Sequence, residues 1–294
     1  MSTETFRYGT DHDLQTVTVT TLNTNTTTTT GYWVILIHGG AWRDPTQTST
    51  TYLTPTSTLL TTTAPYPKTT TPYIAGLASI SYRLSAHPSH PQDPSTTDPH
   101  HLRTATHPDH ISDIFAALSF LQSKYRFGEN YLLVGHSCGA TLAFQSVMGK
   151  FRSMSSTRSI PAPVGILGMA GIYDLRLLRD THREISAYQE FTEGAFGKDE
   201  AVWDGVSPAV VTGEDGVSGG WKVGRVAVLA YSGEDGLVDG GQREVMKTAL
   251  GEWVALGGKR VEELDIRGQH DDAWREGREL ARGVEFAISL LREA

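Results

Sequence analysis

The segment Gly135–Gly139, with the sequence Gly-His-Ser-Cys-Gly, has the residue types of a serine nucleophile. It follows the apolar run 131–134 and leads into residues 140–144, which favour a helix. A strand, a sharp turn and a helix with serine at the turn form a nucleophile elbow, in which flanking glycines let the strand and the helix approach each other. We therefore predict a serine hydrolase with Ser137 as its nucleophile.

A second Gly-x-Ser-x-Gly match occurs at Gly216–Gly220. It lies in the polar stretch 212–220, no apolar strand precedes it, and Trp221 follows where a helix would have to begin. We interpret this second match as a flexible loop. The elements around the motif, and not the pentapeptide itself, therefore indicate which serine is the nucleophile.

A serine hydroxyl needs a general base, and on folds with a nucleophile elbow an acid and then a histidine follow the serine in the chain. Asp235 comes just after a late apolar strand, and His270 comes just after the last predicted strand. We predict that Asp235 and His270 complete a catalytic triad. Glu234 and Asp239 are rivals for the acid, and the alternative for Asp235 is a turn residue, since Asp-Gly pairs are common in turns.

The early segment 38–42, His-Gly-Gly-Ala-Trp, follows the apolar strand 33–37. Acyl transfer builds negative charge on the substrate oxygen, which fixed N–H donors stabilise, and glycines let the backbone turn its N–H groups toward that oxygen. We predict an oxyanion hole formed by the backbone N–H groups of Gly39, Gly40 and Cys138. Cys138 is the only cysteine, and we assign it this backbone role rather than thiol catalysis.

Apolar runs and amphipathic stretches alternate along the chain. This alternation predicts an α/β fold with a mostly parallel central sheet and helices on both faces. In such sheets the active site lies at the carboxyl ends of the strands. The predicted strands are 14–22, 33–37, 73–82, 131–134, 164–170, 226–231 and 261–266, and the predicted helices outside the elbow are 109–125, 242–256 and 272–291.

We expect a single domain over residues 1–294, interrupted by long irregular segments. The threonine-rich tract near 23–30 is predicted to be a disordered loop. Long loops or cap segments are predicted near 44–72, 86–108 and 176–220, with room for one short helix in the first and with short helical pieces in the last.

Six histidines fall between positions 87 and 110. Zinc sites often use pairs of histidines, but prolines interrupt this stretch and no regular cysteine or carboxylate spacing accompanies it. We favour a solvated loop over a metal site and expect no metal.

The net charge of −8 argues against a general nucleic-acid surface. Residues 1–12 lack the apolar core of a signal peptide, and no apolar run approaches the roughly 20 residues that span a bilayer. With one cysteine no internal disulfide can form, so we expect a cytoplasmic protein that binds neither nucleic acid nor membrane. The sequence does not determine whether the chain forms a homodimer.

The Gly-x-Ser-x-Gly elbow together with a His-Gly-Gly-x-Trp loop resembles the kynurenine formamidases (arylformamidases), which are α/β-hydrolases related to the hormone-sensitive-lipase-like esterases. The continuation Arg43-Asp44-Pro45 is especially similar to the fungal formamidases, and the segment 81–85, Ser-Tyr-Arg-Leu-Ser, resembles a Tyr-Arg-Leu segment of the wider group. The resemblance spans roughly residues 31–290. The chain departs from it in its long loops, and it has Ala41 where other esterases have a third glycine.

The resemblance implies an α/β-hydrolase fold and hydrolysis of N-formyl-L-kynurenine to formate and L-kynurenine, a step of tryptophan degradation toward NAD, with no cofactor. One alternative is a general carboxylesterase that acts on short acyl or aryl esters with the same triad. A non-enzymatic binding module is disfavoured, because such proteins usually lose part of the triad and this chain keeps all three residue types.

Only a few residues are candidates for substrate recognition. Trp42, Tyr82 and Tyr173 are candidates to stack on the substrate's aryl ring, although aromatic residues near strand ends often belong to the core. For the amino-acid end of the substrate the candidate is Arg83, with a structural salt bridge as the favoured alternative.

Overall fold

The computed structural model describes residues 2–22, 31–152 and 160–293. The described strands all belong to one eight-stranded sheet of order β1-β2-β4-β3-β5-β6-β7-β8. The pairs β1–β2 and β2–β4 are antiparallel and the remaining pairs are parallel. The strands are β1 (Ser2–Arg7), β2 (Thr16–Thr21), β3 (Tyr32–Ile37), β4 (Ile74–Ile80), β5 (Tyr131–His136), β6 (Gly165–Met169), β7 (Val226–Ser232) and β8 (Arg260–Ile266).

Thirteen α-helices lie in the described ranges, together with short 3₁₀ helices at Thr71–Tyr73, Pro99–His101 and Gly213–Asp215. The α-helices are α1 (Ser49–Thr62), α2 (Tyr66–Thr69), α3 (Asp109–Tyr125), α4 (Cys138–Gln145), α5 (Gly149–Arg152), α6 (Leu175–Thr181), α7 (Ser186–Phe196), α8 (Glu200–Val206), α9 (Val217–Gly220), α10 (Gly240–Ala249), α11 (Gly251–Val254), α12 (Asp272–Arg275) and α13 (Arg278–Glu293).

The sheet is buried on both faces. In β3, Ile35 and Ile37 pack with side chains of α3 and α4, whereas Val34 and Leu36 pack on the opposite face with side chains of α1 and α13. A strand that is covered on both sides has no polar face, which is why the central strands read as continuous apolar runs. The prediction of an α/β-hydrolase fold, with a mostly parallel sheet between two layers of helices, is confirmed.

The segment 44–72 is mostly helical, so the expectation of a long loop there was wrong. Helix α1 spans 14 residues and begins with a capping box between Thr48 and Thr51. Threonine disfavours helices because its hydroxyl competes for backbone groups, and several hydroxyls in α1 do bond the carbonyl one turn earlier. Burial of Tyr52, Leu53 and Leu60 against the sheet stabilises the helix in spite of this low propensity.

Two other elements differ from the sequence prediction. The polar segment Ser2–Arg7 forms edge strand β1, which pairs antiparallel with β2, and facing threonine and serine hydroxyls on the two strands hydrogen-bond to each other. The final helix is broken at Gly277, which has a left-handed φ of +71° and packs against Pro55 of α1. A side chain at Gly277 would meet the backbone of α1, so the close approach of the two helices depends on this glycine.

The structures of two other segments that were predicted to be irregular can be compared with the prediction, and a third such segment lies outside the described residues. Segment 86–108 contains only the one 3₁₀ turn, and segment 176–220 is largely built from helices α6–α9. The threonine-rich tract near 23–30 lies outside the described residues. No helix in the described ranges combines the length and the apolar character that a membrane span requires.

Candidate active site

Ser137 lies at a strained turn between β5 and α4. Its backbone has a left-handed φ of 55° with ψ of −125°, a conformation that non-glycine residues rarely adopt. A Cβ at Gly135 would lie 2.3 Å from the Gly139 carbonyl oxygen, and one at Gly139 would lie 2.3 Å from the Ile37 carbonyl oxygen. Only glycines at these two positions allow the strand and the helix to come this close, as the elbow interpretation requires.

The second Gly-x-Ser-x-Gly match has a different structure. Its residues form the short helix α9 rather than the flexible loop that we expected. Ser218 is not raised on a strand-to-helix turn, and its hydroxyl donates to the Gly213 carbonyl and to Glu252 at 3.1 Å. This serine stabilises a surface turn.

Asp235 and His270 meet through a hydrogen bond of 2.7 Å between Asp235 Oδ2 and His270 Nδ1. The other carboxylate oxygen of Asp235 accepts from the N–H groups of Leu237 and Val238. Burial raises the pKa of the Asp235 carboxyl, but the hydrogen bond and charge of His270 and these two N–H groups lower it by more, so the net pKa is below its usual value. The carboxylate is therefore held charged beside the imidazole.

The two rivals for the acid lie elsewhere. Asp239 caps helix α10 by accepting from the Gly241 N–H at 2.8 Å. Glu234 is exposed to solvent. Neither carboxylate contacts His270, so the geometry favours Asp235.

Ser137 and His270 line one cavity of about 330 Å³. In the described part of the chain no hydrogen bond joins Ser137 Oγ to His270 Nε2. Catalytic hydrogen bonds are often long before substrate binds, so the shared cavity wall is the informative observation.

The loop 38–42 turns its backbone toward this cavity. Three successive residues, Gly40, Ala41 and Trp42, have left-handed φ values of 93°, 48° and 59°. The Gly39 N–H, however, donates to the Tyr52 hydroxyl at 3.0 Å, so it is occupied and the prediction of Gly39 as an oxyanion donor does not fit the structure. Gly40 lines the cavity, and its N–H has no acceptor among the described residues.

Cys138 supplies the other candidate donor. It is the first residue of α4, where a backbone N–H has no acceptor within the helix. Its thiol is fully buried and lies 3.3 Å from the Trp42 N–H, and burial raises the pKa of this thiol to about 11. A thiol that stays protonated at neutral pH is a poor nucleophile, which agrees with the assignment of Cys138 to a backbone role.

A buried link that no sequence pattern indicated joins the two halves of the site. His136 Nε2 lies 2.9 Å from the carbonyl oxygen of His270, and His136 Nδ1 lies 2.8 Å from the Tyr52 hydroxyl. Burial lowers the pKa of His136 to about 3, so the ring is neutral, and its Nε2–H must be the donor to the carbonyl. Tyr52 lies in a segment that we predicted to be a loop, so no sequence pattern indicated that its side chain belongs to the site.

The cavity has an apolar wall and a polar end. Its apolar lining comes mainly from the segment 172–191 and from the loop before α10, and its polar lining comes from the loop after β3. The lining residues outside the triad and the oxyanion loop are Arg43, Asp44, Gln47, His87, Ile172, Leu178, Ile185, Ala187, Tyr188, Phe191, Leu237, Val238 and Asp271.

The three aromatic residues proposed for substrate stacking do not line this cavity. Trp42 is fully buried and packs edge-on against Phe196, and Tyr82 is fully buried with its ring stacked on His38 at 4.3 Å. Tyr173 packs against Phe144 in the core. All three residues lie at the end of a strand or in the loop that follows it. Their side chains pack into the core and not toward the cavity.

Arg83 is also remote from the cavity. Its guanidinium makes three hydrogen bonds to Asp113 and a 3.3 Å ion pair with Asp109. This is the structural salt bridge that the sequence favoured. Within the described ranges, no group of three histidine, cysteine or acidic side chains is arranged to hold a metal ion.

Sequence similarity to two other proteins identifies the family of this chain. The chain is 40% identical over 265 residues to the "Kynurenine formamidase-like hydrolase fscH" of Fusarium equiseti, a match that covers 90% of this chain and 85% of the relative. The chain belongs to the kynurenine formamidase family. A second member, "Kynurenine formamidase avaC" of Aspergillus versicolor, is 35% identical over 263 residues, covering 83% of this chain and 84% of that protein. No protein-family model matches the chain.

Solved structures show that this kynurenine formamidase family member has an α/β-hydrolase fold. "Esterase B" from Lactobacillus rhamnosus superposes with a TM-score of 0.63 at 17% identity, over 99% of this chain and 87% of the esterase. A structure described as an arylesterase gives a TM-score of 0.64 at 14% identity, over 100% of this chain and 85% of that chain. At these identities the likeness establishes the fold.

Family membership confirms the resemblance drawn from the elbow and the His-Gly-Gly-x-Trp loop. It makes the chain a hydrolase with a small-molecule substrate. The position where other esterases carry a third glycine is Ala41, which adopts a left-handed φ of 48° despite its side chain and lines the cavity.

Proposed function

We propose that this protein hydrolyses N-formyl-L-kynurenine to formate and L-kynurenine, with Ser137, His270 and Asp235 as its catalytic triad. The observation that carries the proposal is the 2.7 Å contact between Asp235 and His270, because His270 lines the same cavity as Ser137. Family membership supports the choice of an aryl formamide as the substrate.

In the first half of the reaction, Ser137 Oγ attacks the formyl carbon while His270 Nε2 takes its proton. The carbonyl oxygen becomes an oxyanion, which the N–H groups of Gly40 and Cys138 stabilise. The C–N bond then breaks, and His270 returns the proton to the departing aryl amine. L-Kynurenine leaves, and the formyl group remains as an ester of Ser137.

In the second half, water attacks the formyl ester while His270 takes a proton from it. The second tetrahedral intermediate expels Ser137 Oγ, which regains its proton from His270, and formate leaves. Asp235 keeps its charge throughout and stabilises the imidazolium that forms twice in each turnover.

The cavity suits an aryl formamide. Its apolar lining, including Ile172, Phe191 and Val238, offers a surface for the aryl ring. An anilide nitrogen is a better leaving group than an alkyl amine, so an esterase-like triad suffices for this amide.

The deciding experiment is a formate-release assay with N-formyl-L-kynurenine on the wild type and on Ser137→Ala. We expect wild-type turnover and a loss of about 10⁴-fold or more in kcat for the variant, since removal of a triad nucleophile leaves little rate. Circular dichroism checks that the variant is folded. Equal turnover by both proteins would exclude Ser137 as the nucleophile.

A general carboxylesterase is the competing function, because the solved structures of similar fold are esterases. Comparing kcat/KM for N-formyl-L-kynurenine with that for p-nitrophenyl acetate separates the two. A preference for the ester by orders of magnitude would contradict the formamidase proposal.

We also propose a cytoplasmic location, which the single buried and unpaired cysteine supports. Fractionation of cells that express the full chain tests it, and recovery of the protein in a secreted fraction would contradict it.

A further inference from the structure

Arg43 lines the cavity that holds Ser137 and His270. It directly follows the left-handed turn at 40–42, and its backbone N–H donates to the Gly40 carbonyl at 2.9 Å. The same turn therefore sets both the oxyanion loop and the position of this arginine. Arg43 also lines a neighbouring cavity of about 450 Å³, so it stands at the boundary between the two.

The Arg43 guanidinium has no polar partner in the part of the chain that the structure describes. Among the described residues, no carboxylate lies within ion-pair distance of it and no side-chain hydrogen bond involves it. The guanidinium lies against the ring of Phe191, with Cζ 5.7 Å from the ring centroid. This contrasts with Arg83, whose guanidinium is fully engaged by Asp113 and Asp109.

The acidic side chains near Arg43 do not pair with its guanidinium, so its charge can interact with a ligand. The Asp44 carboxylate is occupied inside its own loop, where it accepts from the Thr46 N–H and hydroxyl and from Gln47 Nε2. Burial lowers the pKa of Arg43, and the charge of Glu190, which lines the neighbouring cavity without forming an ion pair with Arg43, only partly offsets this effect. A half-buried cation without a partner on a cavity wall is costly, and an anionic ligand would relieve that cost.

We propose that Arg43 binds the carboxylate of the substrate's amino-acid side chain and thereby selects aryl formamides that carry an anionic tail. The inference rests on the proposed function, since it assigns a role to a residue of the same cavity. The planar guanidinium matches a carboxylate in a bidentate manner, and its contact with Phe191 holds it beside the apolar wall that faces the aryl ring. The formyl group then lies toward Ser137, and the tail lies toward Arg43.

The experiment compares two aryl formamides that differ only in the carboxylate, N-formyl-L-kynurenine and N-formylkynurenamine. It uses wild type, Arg43→Ala, Arg43→Lys and, as a matched control, Arg103→Ala. Arg103 lines the neighbouring cavity but not the one with Ser137, so its loss removes the same charge without touching the proposed contact.

We expect Arg43→Ala to lower the ratio of kcat/KM between the carboxylate substrate and the amine substrate by about 10- to 100-fold, the range for losing a hydrogen bond to a charged group. The loss should appear mainly in KM, since Arg43 does not contact the reacting atoms. Arg43→Lys should recover part of the ratio, and Arg103→Ala should keep the wild-type ratio.

An equal fall for both substrates in Arg43→Ala, or a wild type that does not prefer the carboxylate, would overturn the inference. If neither formamide is turned over, the proposed function fails, and calorimetric binding of L-kynurenine and kynurenamine still tests Arg43. Preferential binding of L-kynurenine that is lost in Arg43→Ala would uphold the carboxylate site, and equal binding of the two amines would reject it.

Discussion

His136, the residue before the proposed nucleophile, donates a 2.9 Å hydrogen bond to the backbone carbonyl of His270, the proposed base. The other nitrogen of the same ring contacts the Tyr52 hydroxyl, which in turn accepts from the Gly39 N–H of the oxyanion loop. The elbow, the loop that carries the base and the oxyanion loop are thus joined through one buried phenol. The Tyr52 ring is itself stacked on Trp274 at 5.1 Å, which fixes its position.

Removal of the Tyr52 hydroxyl should disturb all three loops. Tyr52→Phe leaves the buried Gly39 N–H without its acceptor and removes the hydroxyl that contacts both His136 Nδ1 and Gln47 Oε1, and each unpaired buried group costs about 1–3 kcal/mol. We expect a lower melting temperature together with a lower kcat. Tyr66→Phe is the control, since no described residue bonds the Tyr66 hydroxyl. A Tyr52→Phe protein with the melting temperature and kcat of the wild type would show that the network does not position the site.

The choice of Asp235 over its neighbour has a direct test. Asp235→Asn should lower kcat by about 10²- to 10⁴-fold, because the imidazolium of His270 loses its charge partner. Asp239→Asn removes an acid four residues away that caps α10 and does not contact His270, so it should keep kcat close to the wild-type value. Steady-state kinetics of the two variants test this choice. A large loss of kcat in Asp239→Asn with little loss in Asp235→Asn would show that Asp239 is the catalytic acid.

The elbow should not tolerate a methyl group at Gly135. In Gly135→Ala the new Cβ would lie 2.3 Å from the backbone oxygen of Gly139, so strand β5 and helix α4 would have to separate. We expect a loss of about 1–3 kcal/mol or more in the free energy of unfolding, with displacement of Ser137 and loss of turnover. Gly233→Ala is the matched control, because a Cβ there has no atom within 4 Å. Urea unfolding of the two variants measures the difference, and equal stability would contradict the close packing.

The buried histidines predict how stability depends on pH. Burial lowers the pKa of His38 to about 4 and those of His110 and His136 to about 3, against about 6.5 in an unfolded chain. As the pH falls below about 6.5 the unfolded state takes up protons that the folded state does not. The free energy of unfolding should therefore decrease between about pH 6.5 and 4, by up to about 1.4 kcal/mol per pH unit for each histidine.

Urea unfolding at several pH values measures this slope. His110→Gln should make the slope shallower, because it removes one of the buried histidines whose pKa is lowered. Asp235 acts in a separate window: its lowered pKa contributes stability above about pH 4 that is lost only at more acidic pH. A free energy of unfolding that stays constant from pH 7 to 5 would contradict the burial of neutral histidines.

Local patterns were sufficient wherever one element determines its own geometry. The apolar run, the two glycines and the small residues around Ser137 specify an elbow, because only glycines permit the contacts of Gly135 and Gly139. The long apolar spacing of α3 predicted its bounds at 109 and 125. The positions of Asp235 and His270 after their strands followed from chain order on a parallel sheet.

Local patterns failed where packing outweighs propensity. Threonine-rich α1 looked like a loop, yet its buried face against the sheet makes it a helix and brings Tyr52 into the site. Trp42, Tyr82 and Tyr173 looked available to a substrate, but each is buried on the core side of its backbone.

The sequence by itself determined the reaction class, because the elbow specifies a serine nucleophile locally and the chain order predicts that Asp235 and His270 follow strands at the same edge of the sheet. The tertiary structure decided which of two neighbouring N–H groups is already bonded and which of two arginines has no carboxylate partner among the described residues. Gly39 and Gly40 are adjacent and chemically identical, and Arg43 and Arg83 carry the same charge. Their roles differ because Tyr52 and Asp113, distant in the chain, occupy one member of each pair.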